Sequence, residues 1–264
     1  MGAAIGAALR ANGETVLWAS SGRSSKTAER AARAGLGDVG DVAELCRRCE
    51  VLISVCPPHA ALEVARSATG FTGTYVDANA ISPQTAKKIG EHFGCFVDGG
   101  IIGPPPRERG TSRLYLSGRE AGRITALFAG TVVDALSVSD APGAASALKM
   151  AYAGWTKGSA ALLLATRALA RAEGVEEKLL DEWELSQPHL AAQSARASRS
   201  ALDKGWRWVG EMNEIADSYA ANGLPPGFHR AAAEIYGRVA GSLGGEDVLP
   251  QILTAIRKPR SEAT

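Results

Sequence analysis

The long, almost uncharged stretch from Asp140 to Gly174 is the feature that most constrains this chain. Between Met150 and Thr166 the only charged residue is Lys157, and Gly174 follows the last periodic residue as a helix stop signal. A single helix of about 30 residues would be roughly 45 Å long. Because this helix would be apolar nearly all round, we expect it to be buried on most sides.

Another lysine, Lys149, lies on the apolar part of the predicted helix, among alanine, leucine and methionine. An ammonium group on an apolar surface costs free energy unless it has a partner or a use. Two interpretations stay open from this pattern alone. Either the lysine takes part in chemistry, or its stem lies along the apolar surface while its charged end reaches water.

The composition is that of an ordinary globular protein. The chain has 264 residues, 45% of them hydrophobic, and a formal net charge of +1. A balanced charge gives no reason to expect nucleic acid or an anionic membrane as a partner, and no apolar run reaches the roughly 20 residues that a membrane span needs. The N-terminus has no basic region with a cleavage site, so we expect a cytoplasmic protein. Cys46 and Cys49 form a CxxC pair without further ligand candidates, which favours ordinary helix cysteines over a metal site.

The residues before Asp140 alternate between short apolar runs and polar helical stretches, which predicts a parallel sheet with right-handed crossovers. The residues after it have helical periodicity almost throughout. We therefore predict an α/β Rossmann-like domain over residues 1–140, followed by an all-α domain over residues 141–264. Strands are expected at residues 14–20, 51–56, 74–77, 95–98, 113–117 and 132–138, and further helices at residues 176–185, 187–204, 206–222 and 227–240.

The first strand of such a sheet is missing from this pattern. A doubly wound nucleotide-binding sheet begins with a central strand and a glycine-rich turn before its first helix, whereas this chain begins with a helical pattern. Gly2 would be the third glycine of that turn. We expect the strand and the first two glycines to be encoded upstream of Met1, and we expect Met1 and Gly2 to line the nucleotide site.

Polar residues follow the second strand of the sheet at its carboxyl end, where open α/β sheets bind ligands. Sheets that prefer NAD usually place an acidic residue here, but this segment contains Ser20, Ser21, Arg23 and Ser24. An arginine and hydroxyl groups suit the 2′-phosphate of NADP. The alternative is an exposed polar loop without a ligand.

Two later strand ends carry further candidate ligand contacts. Cys56, Pro57 and Pro58 follow one strand, and Asn79 follows the next. The alternatives are a helix-entry turn for the prolines and a cap or Asx turn for the asparagine. The segment 98–106 contains three glycines and three prolines, which suits either a ligand-lining loop or a structural crossover at a strand end.

The order and spacing of these segments resemble those of one known family. The segments that carry the resemblance are MGAAIGAAL, TVLWASSGRSSKTAERA, VLISVCPPHAALEVA, YVDANAISPQTAKKI, FVDGGIIGPPP and GAASALKMAYAGWTKG, followed by KGWRWVGEMNEIADSYAANGLPPGFHRAAAEIYGR. Together they resemble the β-hydroxyacid dehydrogenase and 6-phosphogluconate dehydrogenase superfamily over nearly the whole chain. The branch that they resemble most has an NADP-binding N-terminal domain and a phosphogluconate-dehydrogenase-type helical C-terminal domain.

The resemblance implies an oxidoreductase that uses NADP, with NAD less favoured, and moves hydride between nicotinamide and a hydroxyacid-like carbinol or carbonyl. Lys149 matches the family's general acid/base on the interdomain helix. The residues that would contact the substrate come from two strand ends and from the helix after Lys149: Asn79, Gly99, Gly100, Tyr152 and Thr156.

Departures from the family pattern leave two alternatives. Ile102 replaces the serine of the family's substrate-carboxylate loop, which favours a bulkier or less polar substrate and keeps an imine-reductase-like enzyme of the same architecture open. The incomplete glycine fingerprint also leaves open an interaction module that binds nucleotide poorly. Because the helical half is too thin to bury an all-round apolar helix alone, we also expect a homodimer.

Overall fold

The computed structural model describes residues 1–239 and 248–257. The chain forms two compact units, Met1–Met150 and Ala151–Thr264. The boundary between them lies inside the long helix, whereas the sequence pattern predicts a boundary ahead of that helix, at residue 140. The predicted second domain also includes residues 240–247 and 258–264, which lie outside the described residues.

The first unit alternates strands and helices, as the sequence predicts. Its strands are β1 (Leu17–Trp18), β2 (Gly37–Asp38), β3 (Val51–Ser54), β4 (Thr74–Asp77), β5 (Cys95–Ile102), β6 (Ser112–Ser117) and β7 (Val133–Ser139). Its helices are α1 (Gly2–Ala11), α2 (Ser25–Arg33), α3 (Val42–Arg48), α4 (Ala61–Ser67), α5 (Pro83–Gly90) and α6 (Ala121–Leu127), with a short 3₁₀ turn at Pro58–Ala60.

The main sheet has the strand order β3-β4-β5-β6-β7. Adjacent strands of this sheet run parallel, except β5 and β6, which run antiparallel. The prediction of an α/β region with a parallel sheet is confirmed, but the prediction of a loop beginning after Asp98 is wrong for residues 99–102. These residues continue β5 because β6 supplies their hydrogen-bond partners, from Asp98 opposite Ser117 to Ile102 opposite Arg113.

Strands β1 and β2 form a separate parallel pair, and no pairing joins β1 to β3 in the part of the chain that the structure describes. Apolar residues of α1 nevertheless share one core with Val16, just before β1, and with Val51 and Ile53 of β3. The expected central strand that would join the two sheets stays a prediction.

The long helix α7 runs from Ala144 to Ala172, and α8 (Glu176–Ser186), α9 (Leu190–Ala221), α10 (Gly227–Val239) and α11 (Val248–Ala255) follow it. The prediction of two separate helices meeting near residue 205 is wrong, because α9 continues through Gly205. A side chain at that position would lie 3.6 Å from the Tyr236 carbonyl oxygen, so this glycine marks the packing of α10 against α9 and not a break. No helix among residues 1–239 and 248–257 is long and apolar enough to cross a membrane.

Candidate active site

The N-terminus of α7 is held by a carboxylate from the sheet. Asp98 of β5 is fully buried, and it accepts hydrogen bonds from the Ser146 backbone N–H at 2.9 Å and from the Ser146 hydroxyl. The Ser117 hydroxyl of β6 also donates to Asp98, at 2.9 Å, and accepts from the Ala145 N–H at 3.0 Å. Three elements therefore meet at one buried acidic group, which satisfies N–H groups that a helix start leaves without helical partners.

Burial raises the pKa of the Asp98 carboxyl above its ordinary value, because desolvation penalises the charged form. The hydrogen bonds from Ser146, Ser117 and the Gly143 backbone act in the opposite direction and favour the carboxylate. The positive end of the α7 dipole also favours an anion at this place. The free-energy cost of burying the Asp98 carboxylate is thus offset by the hydrogen bonds that it accepts.

Lys149 lies one helical turn after Ser146 and is half-buried. Its Nζ donates a hydrogen bond to the Ile101 carbonyl oxygen of β5 at 2.8 Å. Beside it, Gly100 has only a hydrogen where other residues have Cβ, since a Cβ there would be 2.9 Å from the Lys149 Cβ and 3.0 Å from the Ala145 carbonyl oxygen. The structure therefore brings together two of the predicted site residues, Lys149 and Gly100, and it adds Asp98 and Ser146 close by.

The other predicted residues of α7 are Tyr152 and Thr156, both exposed. The Thr156 hydroxyl donates to the Tyr152 carbonyl oxygen at 3.1 Å, so it is used within the helix. Substrate contacts of these two residues stay predictions.

Asn79 ties together the carboxyl ends of β3 and β4. Its side-chain oxygen accepts from the Cys56 N–H at 2.5 Å, and its side-chain nitrogen donates to Ser54 Oγ at 3.0 Å and to Asp77 Oδ2 at 2.9 Å. The asparagine is buried, and both nitrogen protons have partners. This network fixes the start of the Cys56-Pro57-Pro58 segment; direct ligand contacts of Asn79 and of that segment are untested predictions. Gly99 is in β5, where a Cβ would lie 2.9 Å from the Asp77 carbonyl oxygen.

The predicted phosphate-binding residues are in the turn between β1 and α2. Ser21, Arg23 and Ser24 are exposed. Ser20 is half-buried, and its hydroxyl donates a hydrogen bond to the Asp38 carboxylate. Burial raises the pKa of the Cys56 thiol to about 11, so this thiol is a weak nucleophile at neutral pH.

Met1 is the N-cap of α1, whose first residue is Gly2, and the Met1 carbonyl oxygen accepts from the Ala4 N–H at 2.8 Å. A Cβ at Gly2 would lie 3.5 Å from the Val55 Cβ, an ordinary contact, whereas one at Gly6 would lie 2.9 Å from Leu36 Cδ2. Of these two glycines, Gly6 is the more closely packed, and its neighbour is the flexible end of the Leu36 side chain. The described residues contain no group of three or more histidine, cysteine or acidic side chains that could hold a metal.

The sequence alone does not predict the carboxylate and the hydroxyls that cap α7. The sequence pattern places Asp98 at the start of a glycine-rich segment and gives no local signal for Ser117 or Ser146. The available signal was an acidic residue inside a buried strand, since such a residue needs donors. Those donors lie 19 and 48 residues away along the chain, which a local pattern does not reveal.

Comparison with known proteins agrees with this architecture. Residues 170–239 match a domain of unknown function, DUF1932. An uncharacterised 28.5 kDa protein in the 7S RNA 5′ region of Methanothermus fervidus is 33% identical over 164 residues, which are 61% of this chain. The match spans 63% of that relative's length.

Solved structures extend the comparison to nearly the whole chain. The conserved protein MTH1747, of unknown function and described as structurally similar to 3-hydroxyacid dehydrogenases, has a TM-score of 0.67 and 29% identity over 97% of this chain and 95% of its own. Two more distant structures share the fold. Psf3 in complex with NADP⁺ and 2-OPP has a TM-score of 0.64 and 20% identity, with 97% of each chain covered. A reductive aminase from Aspergillus terreus in complex with NADPH has a TM-score of 0.56 and 17% identity, over 97% of this chain and 96% of its own. The resemblance to the β-hydroxyacid dehydrogenase superfamily is therefore confirmed at the level of the fold.

Proposed function

We propose that this chain is an NADP-dependent oxidoreductase that moves hydride between nicotinamide and a hydroxyacid-like carbinol or carbonyl, with Lys149 as the general acid/base. The observation that carries the proposal is the ammonium of Lys149, half-buried on α7 and held at 2.8 Å from the Ile101 carbonyl oxygen. A lysine directed in this way can donate a proton to a forming alkoxide, or accept one from a hydroxyl, within hydrogen-bond reach.

The donor groups of the turn between β1 and α2 fit the 2′-phosphate of NADP. Arg23, Ser21 and Ser24 are exposed at the carboxyl end of a strand, and a guanidinium with hydroxyls suits a phosphate better than a ribose diol. NADP, when bound, supplies the hydride chemistry. The structures of Psf3 and of the reductive aminase with NADP⁺ or NADPH support this choice of cofactor.

An imine-reductase-like activity is the second candidate, and Ile102 favours it. The family's substrate-carboxylate loop has a serine at this position, but Ile102 is a buried strand residue opposite Arg113. The side chain at this point therefore offers no donor to a carboxylate. A substrate without a carboxylate, such as a cyclic imine or a ketone with an amine, satisfies this constraint.

We also propose that the active protein is a dimer, because α7 carries an apolar seam. Spacings of three and four residues relate Tyr152, Trp155, Ser159, Leu162, Thr166 and Leu169, which is the pattern of a coiled-coil seam. Its large apolar members are exposed, up to 76% for Trp155. A second copy of the same helix would cover these side chains.

Cofactor binding tests the core of this proposal. We expect NADPH fluorescence to change on titration with the protein, and we expect thermal-shift screening with NADPH present to find stabilising hydroxyacids or imines. An absence of any NADPH response would support the interaction module that binds nucleotide poorly. Stabilisation by imines or amines, but not by hydroxyacids, would favour the reductase alternative.

A further inference from the structure

We infer that Asp98, together with Ser117 and Ser146, forms a clamp that positions Lys149 for proton transfer. The inference rests on the proposed role of Lys149. These three residues are fully buried, and we place them outside the reacting groups. They act through the first turn of α7, the helix that carries the lysine one turn later. We call Asp98, Ser117 and Ser146 the α7 clamp.

The clamp joins α7 to the sheet at a point that water does not reach. All three residues are fully buried. The Asp98 carboxylate accepts from the Ser146 N–H, the Ser146 hydroxyl and the Ser117 hydroxyl, and the Ser117 oxygen accepts from the Ala145 N–H. A hydrogen bond to a charged group contributes more than a neutral one, so the first turn of α7 has a defined position on β5 and β6.

The same strand and the same helix meet a second time at Lys149. Asp98 and Ile101 are three residues apart on β5, and their partners Ser146 and Lys149 are three residues apart on α7. Two contacts between one strand and one helix determine both the rotation and the height of the helix. Gly100 lies between them and lets the helix approach to van der Waals contact. A change at the first contact therefore displaces the ammonium at the second.

A helix cap alone does not require this arrangement. Other helices of the same unit use local caps: Asp41 accepts from the Glu44 N–H for α3, and Ser82 accepts from the Thr85 N–H for α5. A local side chain would satisfy the start of α7 equally well. The chain instead uses donors and acceptors 28 and 48 residues apart, which link the helix that carries Lys149 to the strand beneath it.

The test compares Ser146→Ala, Ser117→Ala and Asp98→Asn with Ser82→Ala, which removes a local helix cap of the same unit. Lysines are ¹³C-methylated and the Lys149 signal, assigned with Lys149→Met, is titrated by NMR. We expect the Lys149 titration midpoint to shift in all three clamp variants and to stay at its parent value in Ser82→Ala. With a substrate found by the screen, kcat should fall about tenfold to a hundredfold, as expected for a displaced catalytic group, while the KM for NADPH changes less than twofold.

Clamp variants that lose thermal stability but keep the parent titration midpoint and kcat would overturn the inference, because the clamp would then be structural only. If Asp98→Asn does not fold, the two serine variants decide the question. The NMR readout needs no turnover. Near-parent turnover of Lys149→Met would reject the proposed chemistry, whereas an unmoved Lys149 midpoint in the clamp variants would reject positioning.

Discussion

Gly100 and Lys149 are in direct contact, with the bare Cα of the glycine beneath the side chain of the lysine. A Cβ at Gly100 would lie 2.9 Å from the Lys149 Cβ and 3.0 Å from the Ala145 carbonyl oxygen. Both distances are shorter than side chains tolerate without movement. Strand β5 therefore packs closely against α7 beside the residue proposed to transfer the proton.

Gly100→Ala should consequently displace α7 from β5. Overpacking of this kind costs about 1–3 kcal/mol of unfolding free energy, measurable by denaturant titration, and turnover should fall because Lys149 moves with the helix. Gly94→Ala is the matched control, because a Cβ at Gly94 meets nothing within 4 Å. Equal stability and activity in both variants would mean that the contact with Lys149 relaxes freely.

Lys149→Met should preserve folding and NADPH binding, since methionine keeps the length and the apolar stem. Turnover should fall by about 10²–10⁴-fold, the usual contribution of a positioned acid or base. Lys149→Arg should rescue little, because guanidinium does not deprotonate. Steady-state kinetics with the substrate found by screening measures the effect, and Lys178→Met, on the exposed start of α8, controls for loss of a lysine. A turnover rate near that of the parent would show that Lys149 does not take part in proton transfer, and it would favour the imine-reductase alternative.

The sequence predicted most of the fold because the elements carry strong local signals. The charge-poor stretch predicted α7 nearly to its ends, and the apolar run at Thr74–Asp77 predicted β4 with its observed bounds. The predictions failed where a distant partner decides the structure. Gly99 and Gly100 looked like loop residues because glycine is depleted in strands, yet β6 pairs with them.

The candidate site was predictable in part for the same reason. Lys149 was identifiable because a charge on an apolar helix is unusual and matches a family position. The ligand contact expected of Asn79 stays a prediction, whereas its hydrogen bonds to Cys56, Ser54 and Asp77 did not follow from the local pattern. Hydrogen bonds between separate strands depend on register, and register is a property of the assembled sheet.

Arg23→Ala should weaken NADPH binding and hardly change NADH binding, because only NADPH has the 2′-phosphate. Loss of one charge-assisted contact corresponds to roughly 1.5–3 kcal/mol, or about a tenfold to hundredfold rise in the NADPH Kd measured by fluorescence. Arg33→Ala, at the other end of α2, is the matched control. Equal losses for both cofactors in Arg23→Ala would show that the arginine is structural.

Leu162→Glu should dissociate the proposed dimer, because a charge would enter the centre of the α7 seam. Leu185→Glu provides the control: this leucine is 83% exposed on α8 and lies off the seam. Light scattering at micromolar concentration should give a dimer for the parent and for Leu185→Glu, and a monomer for Leu162→Glu. A monomeric parent would contradict the dimer directly.

His229 should make the helical unit less stable in acid. The residue is 4% exposed, its ring packs against Tyr219 at 4.2 Å and against Phe228 at 5.3 Å between centroids, and its Nδ1 has no hydrogen-bond partner within the described residues. Burial lowers the pKa of His229, so the folded form keeps the ring neutral while the unfolded chain takes up a proton below about pH 6.5. The unfolded state then binds more protons than the folded state, and stability must fall as the pH falls from about 6.5 toward the folded pKa.

His229→Phe isolates this contribution, since phenylalanine keeps the aromatic packing and cannot titrate. The difference in unfolding free energy between parent and variant should be constant above pH 7 and should turn against the parent below about pH 6.5, by at most about 1.4 kcal/mol per pH unit. Subtracting the two unfolding free energies cancels the contributions of groups that parent and variant share. One of these is Asp98, whose raised pKa changes stability with pH in the opposite direction. His59→Phe, at an exposed position, should follow the parent across the whole range. If His229→Phe also follows the parent between pH 5 and 8, the histidine is accessible enough in the folded protein to be protonated without cost.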